Sequence, residues 1–102
     1  MRSRDVERVF AEGRSSHGNR LVLFVAPGSG GTAVVAARKV GTAVERNRAR
    51  RILRAAWHEV APAVPEGHDV VLVARQGIRG AKTQDLVGEM IELLRRAEVA
   101  RP

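Results

Sequence analysis

Two nearly unbroken apolar stretches constrain this chain most. Arg20 to Ala26 reads RLVLFVA, and Asp69 to Arg75 reads DVVLVAR. Each is too short for an ordinary helix and is read as a strand, the first as a buried one. Ala33 to Val40 (AVVAARKV) is read as a further strand. Pro27-Gly28-Ser29-Gly30-Gly31 is the turn before it, which predicts an antiparallel hairpin of the first two strands. Helical spacing marks the remaining segments. Residues 3–12 form a short helix with Ser3 as N-cap, Val6, Val9 and Phe10 on one face, and Gly13 at the end. A long helix covers 43–60 and is ended by Pro62 and Pro65. Gly77 to Ala81 is a loop carrying Arg79 and Gly80. Thr83 is expected to N-cap a last helix through Ala97, with Leu86, Val87, Met90, Ile91 and Leu94 on its apolar face. The order α-β-β-α-β-α predicts a two-layer α+β sandwich, one domain over residues 1–102. The helix between the second and third strands is a crossover, which permits parallel pairing, and right-handed is the general rule for such units.

Composition narrows the function. At 102 residues the chain has one small core and no room for separate cofactor and substrate domains. The absence of cysteine excludes a disulfide scaffold, a cysteine-ligated zinc site and a thiol nucleophile. No apolar run approaches the roughly 20 residues that span a bilayer. The start, Met1-Arg2-Ser3-Arg4-Asp5, is basic without an apolar signal core, so a cytoplasmic location is expected. His17, His58 and His68 lack metal-ligand spacing and read as surface or loop histidines. The Gly-rich turn lacks the Gly-Lys-Ser/Thr of a phosphate loop. The acidic residues are scattered, with no two-metal cluster. No catalytic residue, protein-bound metal or small-molecule substrate is therefore assigned.

The charge is more informative. The net balance is +7, from 16 Arg and 2 Lys against 11 acids. Between Arg38 and Arg54 lie Arg38, Lys39, Arg46, Arg48, Arg50, Arg51 and Arg54, with Glu45 as the single acid. Nearly the whole net charge is thus local. At 100° per residue, Ala49, Ile52, Leu53, Ala56 and Val60 share one side of the 43–60 helix. Asn47, Arg50, Arg51, Arg54 and His58 share the other. Arg46 and Trp57 stand at one border and Arg48 at the other. A solvated helix face normally interleaves Glu with its basic residues, and this one does not. Like charges in adjacent turns cost about 0.2–0.5 kcal/mol per pair, so the stripe suits a polyanion that neutralises it. A membrane surface fits less well, because the apolar face is alanine-rich and is needed to cover the sheet. A DNA-binding module would need a helix-turn partner that the sequence lacks. Trp57 is expected to pack half-buried.

The stretch Arg38-Lys39-Val40-Gly41-Thr42-Ala43-Val44-Glu45-Arg46-Asn47-Arg48-Ala49-Arg50-Arg51-Ile52-Leu53-Arg54 resembles the signature of the bacterial ribonuclease P protein subunit. Asp5 to Phe10 with Gly13, Leu21 to Ala26, and Asp69 to Arg75 resemble further segments of the same family. The resemblance implies an α/β sandwich with a left-handed β-α-β crossover around the basic helix, in place of the right-handed rule. It implies RNA contacts by Arg38, Lys39, Arg46, Asn47, Arg48, Arg50, Arg51 and Arg54. It also implies a cleft for the 5′ leader of precursor tRNA, with Phe10 and Phe24 at aromatic positions. The partners would be the catalytic RNA and precursor tRNA, with Mg²⁺ held by the RNA and the chemistry carried there. Val6 and Ala37 depart from the family's usual aromatic and Ser, Phe24 from its frequent Tyr, and the basic segment before the first helix is short. A small ribosomal-type RNA-binding protein is the alternative.

Overall fold

The computed structural model describes residues 1–99, so the last three residues of the expected domain lie outside the described residues. The elements are α1 (Ser3–Glu12), β1 (Arg14–His17), β2 (Leu21–Pro27), β3 (Thr32–Val35), α2 (Ala43–Val60), β4 (His68–Ala74) and α3 (Thr83–Arg96). Short 3₁₀ turns cover Arg38–Val40, Ala61–Ala63 and Gln76–Ile78. The expected order is present, with one further strand, β1.

The sheet order is β1-β2-β4-β3. The two apolar runs are its central strands, paired antiparallel over seven positions from Leu21↔Ala74 to Pro27↔His68. Alternate residues of each run face opposite layers. Leu21, Leu23, Val25, Val70, Leu72 and Ala74 join α2 and α3 in the larger core, around Leu53, Ala56, Leu86, Met90 and Leu94. Ala26 and Val71 pack with Val9 of α1, flanked by Val6, Phe24, Ala33, Val35 and Val73. Covering on both faces is why these strands lack polar alternation.

The expected hairpin of β2 and β3 does not form. β4 lies between them, antiparallel to β2 and parallel to β3, whose register runs Thr32↔Val70 to Val35↔Val73. The Gly-rich turn crosses the start of β4 instead of doubling back. The buried Asp69 carboxylate accepts the Gly30 and Gly31 N–H groups at 3.0 and 2.8 Å, and Gly28 donates to the Gly67 carbonyl at 2.8 Å. A Cβ on Gly28 would collide with the Asp69 carboxylate. Two seven-residue runs also satisfy each other's ladder better than the four-residue β3 could. The strand expected over 33–40 is accordingly shorter, ending at Val35. Its last residues turn so that Val40 is buried while Arg38 and Lys39 stay exposed.

Other differences are local. β1 was invisible to periodicity because Arg-Ser-Ser-His is polar, and only Ser16 is buried on this edge. Ser3 and Thr83 are not N-caps but the first helical residues. The caps are Arg2 and Lys82, whose N–H groups donate to Asp5 at 3.2 Å and Asp85 at 2.9 Å. Ile91 is exposed, and Leu93 takes the inward place beside Leu86, Met90 and Leu94. The inward stripe of α3 follows 86, 90, 93, 94, and 91 lies about 100° away from 90 around the helix.

Candidate nucleic-acid interface

α2 is positioned from both ends and from below. Thr42 and Glu45 form a capping box: Glu45 N–H donates to Thr42 Oγ1 at 3.2 Å, and Thr42 N–H to Glu45 Oε1 at 2.9 Å. Gly41 precedes it with φ of +148°, a conformation that side chains rarely adopt. Pro62 sits in the turn that ends the helix. Ala49, Ile52, Leu53, Ala56 and Val60 are all buried against the sheet and α3. This is the apolar side expected from the sequence.

The basic residues therefore face outward. Asn47, Arg51, Arg54 and His58 are exposed, Arg50 is partly covered, and Arg46, Arg48 and Trp57 lie at the borders. The border arginines are anchored by backbone carbonyls: Arg46 Nη1 donates to Gly41 O at 2.9 Å, and Arg48 Nη2 to Ala81 O at 2.6 Å. Arg50 donates to the Asn47 amide oxygen. Arg38 and Lys39 project at the helix approach, just before Gly41. Among the described residues, no ion pair involves any of the seven basic side chains between 38 and 54.

The one acid in that stretch is already occupied. Arg79 Nε contacts Glu45 Oε2 at 2.7 Å. Thr42, through its N–H above all and then its side chain, and after it Arg79 hold the Glu45 carboxyl below its usual range. Arg79 thus cancels the single negative charge at the foot of the stripe. Sequence reading placed Arg79 in a loop but had no signal that this loop meets α2.

The opposite face of the sheet is different in kind. Phe10 on α1 and Phe24 on β2 meet edge to face, with ring centroids 4.8 Å apart. Phe10 is 42% exposed and Phe24 half-buried. Beside them, Val73 and Val35 are only partly covered, so α1 leaves an open apolar trough across β2, β4 and β3. The frame of this trough rests on a residue to which the sequence assigned no role. Asp69 holds the 28–31 loop and also accepts from Arg8 of α1, whose Nη1 donates to Pro27 O at 2.9 Å. The Gly31 and Gly30 N–H bonds and the Arg8 guanidinium keep the Asp69 carboxyl below its usual range despite its burial.

No helix of the described residues is long and apolar enough to cross a membrane. Among them, no three His, Asp or Glu side chains converge as a metal site. His68 is tied to the Pro65 carbonyl at 2.9 Å, and His17 and His58 are exposed.

Comparison with known proteins places this arrangement. The chain is 34% identical over 103 aligned positions to the ribonuclease P protein component of Pelotomaculum thermopropionicum, covering 98% of this chain and 92% of the relative. It is 37% identical over 95 positions to that of Symbiobacterium thermophilum, covering 89% and 83%. The solved Staphylococcus aureus RNase P protein shares the fold with a TM-score of 0.80 at 20% identity, over 99% of this chain and 95% of that one. The Thermotoga maritima RNase P protein does so with a TM-score of 0.78 at 24% identity, over 94% of each. The family model described as Ribonuclease P matches residues 1–98. From its basic helix to its Asp-led central strand, this chain belongs to the ribonuclease P protein family.

Proposed function

We propose that this chain acts in the cytoplasm as the protein subunit of a ribonuclease P, binding the catalytic RNA through α2 and the 5′ leader of precursor tRNA through the trough under α1. The observation that carries the reading is the α2 stripe. Seven basic side chains stand free of carboxylates among the described residues, on a helix whose other side is committed to the core. Arg38, Lys39, Arg46, Arg48, Arg50, Arg51 and Arg54 would neutralise phosphates, and Asn47 would add a directional hydrogen bond. Neutralisation lowers the repulsion between two RNAs, so the protein's contribution is greatest at low Mg²⁺.

Phe10 and Phe24 would take unpaired leader bases in the trough, where each stack is worth about 1–3 kcal/mol. The two surfaces lie on opposite sides of one sheet, which suits a protein that holds a substrate and a second RNA together. In this reading the RNA carries the hydrolysis. Mg²⁺ bound to RNA phosphates would supply charge stabilisation at the scissile phosphodiester. The chain's own part in this reading is binding and alignment.

The test is cleavage of a precursor tRNA at low Mg²⁺ by a bacterial ribonuclease P RNA, with and without this protein, with product ends mapped. Protein-dependent cleavage at the mature 5′ end, and none by the protein alone, is expected. Tight RNA binding without stimulation would overturn the subunit reading in favour of a ribosomal-type RNA-binding protein.

A further inference from the structure

The two surfaces are joined at the outer edge of the sheet by a cleft of about 510 Å³. Its walls include Thr32, Ala33 and Val34 of β3, Arg54, Trp57 and His58 of α2, and the Met1 side chain ahead of α1. Among the described residues β3 ends the sheet and pairs with β4 alone, so its outer backbone donors and acceptors have no strand partner. Trp57 is half-buried. Part of it packs on the larger core, and the rest lines the cleft. Arg54 and His58 are exposed and lie one helical turn apart, continuing the basic stripe to the lip of the cleft. The nearby acid of α2, Glu59, is engaged by the Gln84 amide of α3 at 3.1 Å.

We propose that this cleft takes an unpaired RNA nucleotide, its base against the Trp57 indole and its phosphate on Arg54 beside His58. The proposal rests on the reading of α2 as an RNA-binding face. Three features point to a nucleotide. An indole anchored by the core offers a flat stacking surface at little entropic cost. A guanidinium beside it matches a phosphate. The free β3 edge can meet the polar edge of any base. The position adds a reason. Ala33 packs toward the α1 side of the sheet and Val34 toward the α2 side, so the cleft is the rim between trough and stripe. A strand that occupied both faces would turn over this rim, and a nucleotide held there would fix the turn. A peptide strand is disfavoured, because the edge is only four residues long and its surroundings are cationic.

Trp57 is the single tryptophan and the chain has no tyrosine, so indole emission reports on this cleft alone. The full chain is titrated with a single-stranded adenosine hexanucleotide and, separately, with a short blunt RNA duplex, while binding is followed by anisotropy of a labelled RNA end. Saturable quenching of Trp57 by the hexanucleotide, with binding of the duplex but no quenching, is expected. Binding of both without quenching would overturn the cleft and leave the α2 reading intact. Binding of neither would overturn the α2 reading itself. Emission that shifts with protein concentration in the absence of RNA would assign the edge to a second copy and overturn the proposal. Trp57→Leu should lower hexanucleotide affinity about five- to tenfold, the low end for one base stack, with duplex affinity unchanged and Trp57→Phe retaining most of the binding. Equal loss on both probes would overturn the proposal. If Trp57→Leu no longer melts cooperatively, quenching of the unaltered protein decides.

Discussion

Replacing Arg51 and Arg54 together by Gln tests the α2 face most directly. Both side chains are exposed and take part in no ion pair among the described residues, so the fold should not change. Each phosphate neutralised contributes about 0.7–0.9 to the slope of log K against log salt concentration. Losing two such contacts should flatten the slope for ribonuclease P RNA by about 1.4–1.8. Between about 50 and 200 mM salt, a fourfold change, the advantage of the unaltered protein then shrinks by about 7- to 12-fold. A matched control removes the same charge elsewhere. Arg95 and Arg96 lie on α3 and both contact Glu92. Filter binding across a salt series reads the slope for each protein. The Arg95→Gln, Arg96→Gln variant should keep the original slope. Equal flattening in both variants would mean that net charge alone drives binding, and an unchanged slope in the Arg51, Arg54 variant would remove α2 from the interface.

Four further outcomes follow from other contacts. Phe10→Ala should weaken precursor tRNA with a leader by about 1–3 kcal/mol while sparing leaderless tRNA, and equal effects in a binding titration would reduce Phe10 to packing. Asp69→Asn should cost about 1–3 kcal/mol at neutral pH, since charged hydrogen bonds to Gly30, Gly31 and Arg8 are weakened. The folded Asp69 carboxyl titrates below its ordinary value of 3.8, so its stabilisation is complete above that pH and fades as pH falls toward the lower folded value. Urea midpoints of the two proteins should therefore converge in acid, and a gap unchanged there would contradict this. Thr42→Ala should lower stability by about 1 kcal/mol through loss of the capping box, read by thermal melting. Ile91→Ser should stay within about 0.5 kcal/mol, whereas Met90→Ser should cost several times more, because only Met90 is buried.

The amino-acid pattern alone determined what depends on neighbours within one helix or strand. The α2 limits, its buried Ala49-Ile52-Leu53-Ala56-Val60 side and its outward arginines follow from a 3.6-residue period and from a turn on either side. The two apolar runs were legible as strands because burial on both faces leaves no polar alternation. The run from Arg38 to Arg54 carried the family resemblance, since its charges need a fixed spacing along one helix.

Tertiary structure decided whatever depends on residues far apart in the chain. Nothing near β2 says that β4, rather than β3, pairs with it. That choice rests on a seven-position register and on Asp69 reaching the N–H groups of a loop 38 and 39 positions away. β1 was hidden because an edge strand needs no apolar period to be held by its neighbour's ladder. Arg79 became part of the basic surface, and Trp57 part of a cleft, only when α2 settled between the 77–81 loop and the β3 edge. Periodicity reports which side of an element is buried. The identity of what buries it is set by packing across the whole molecule.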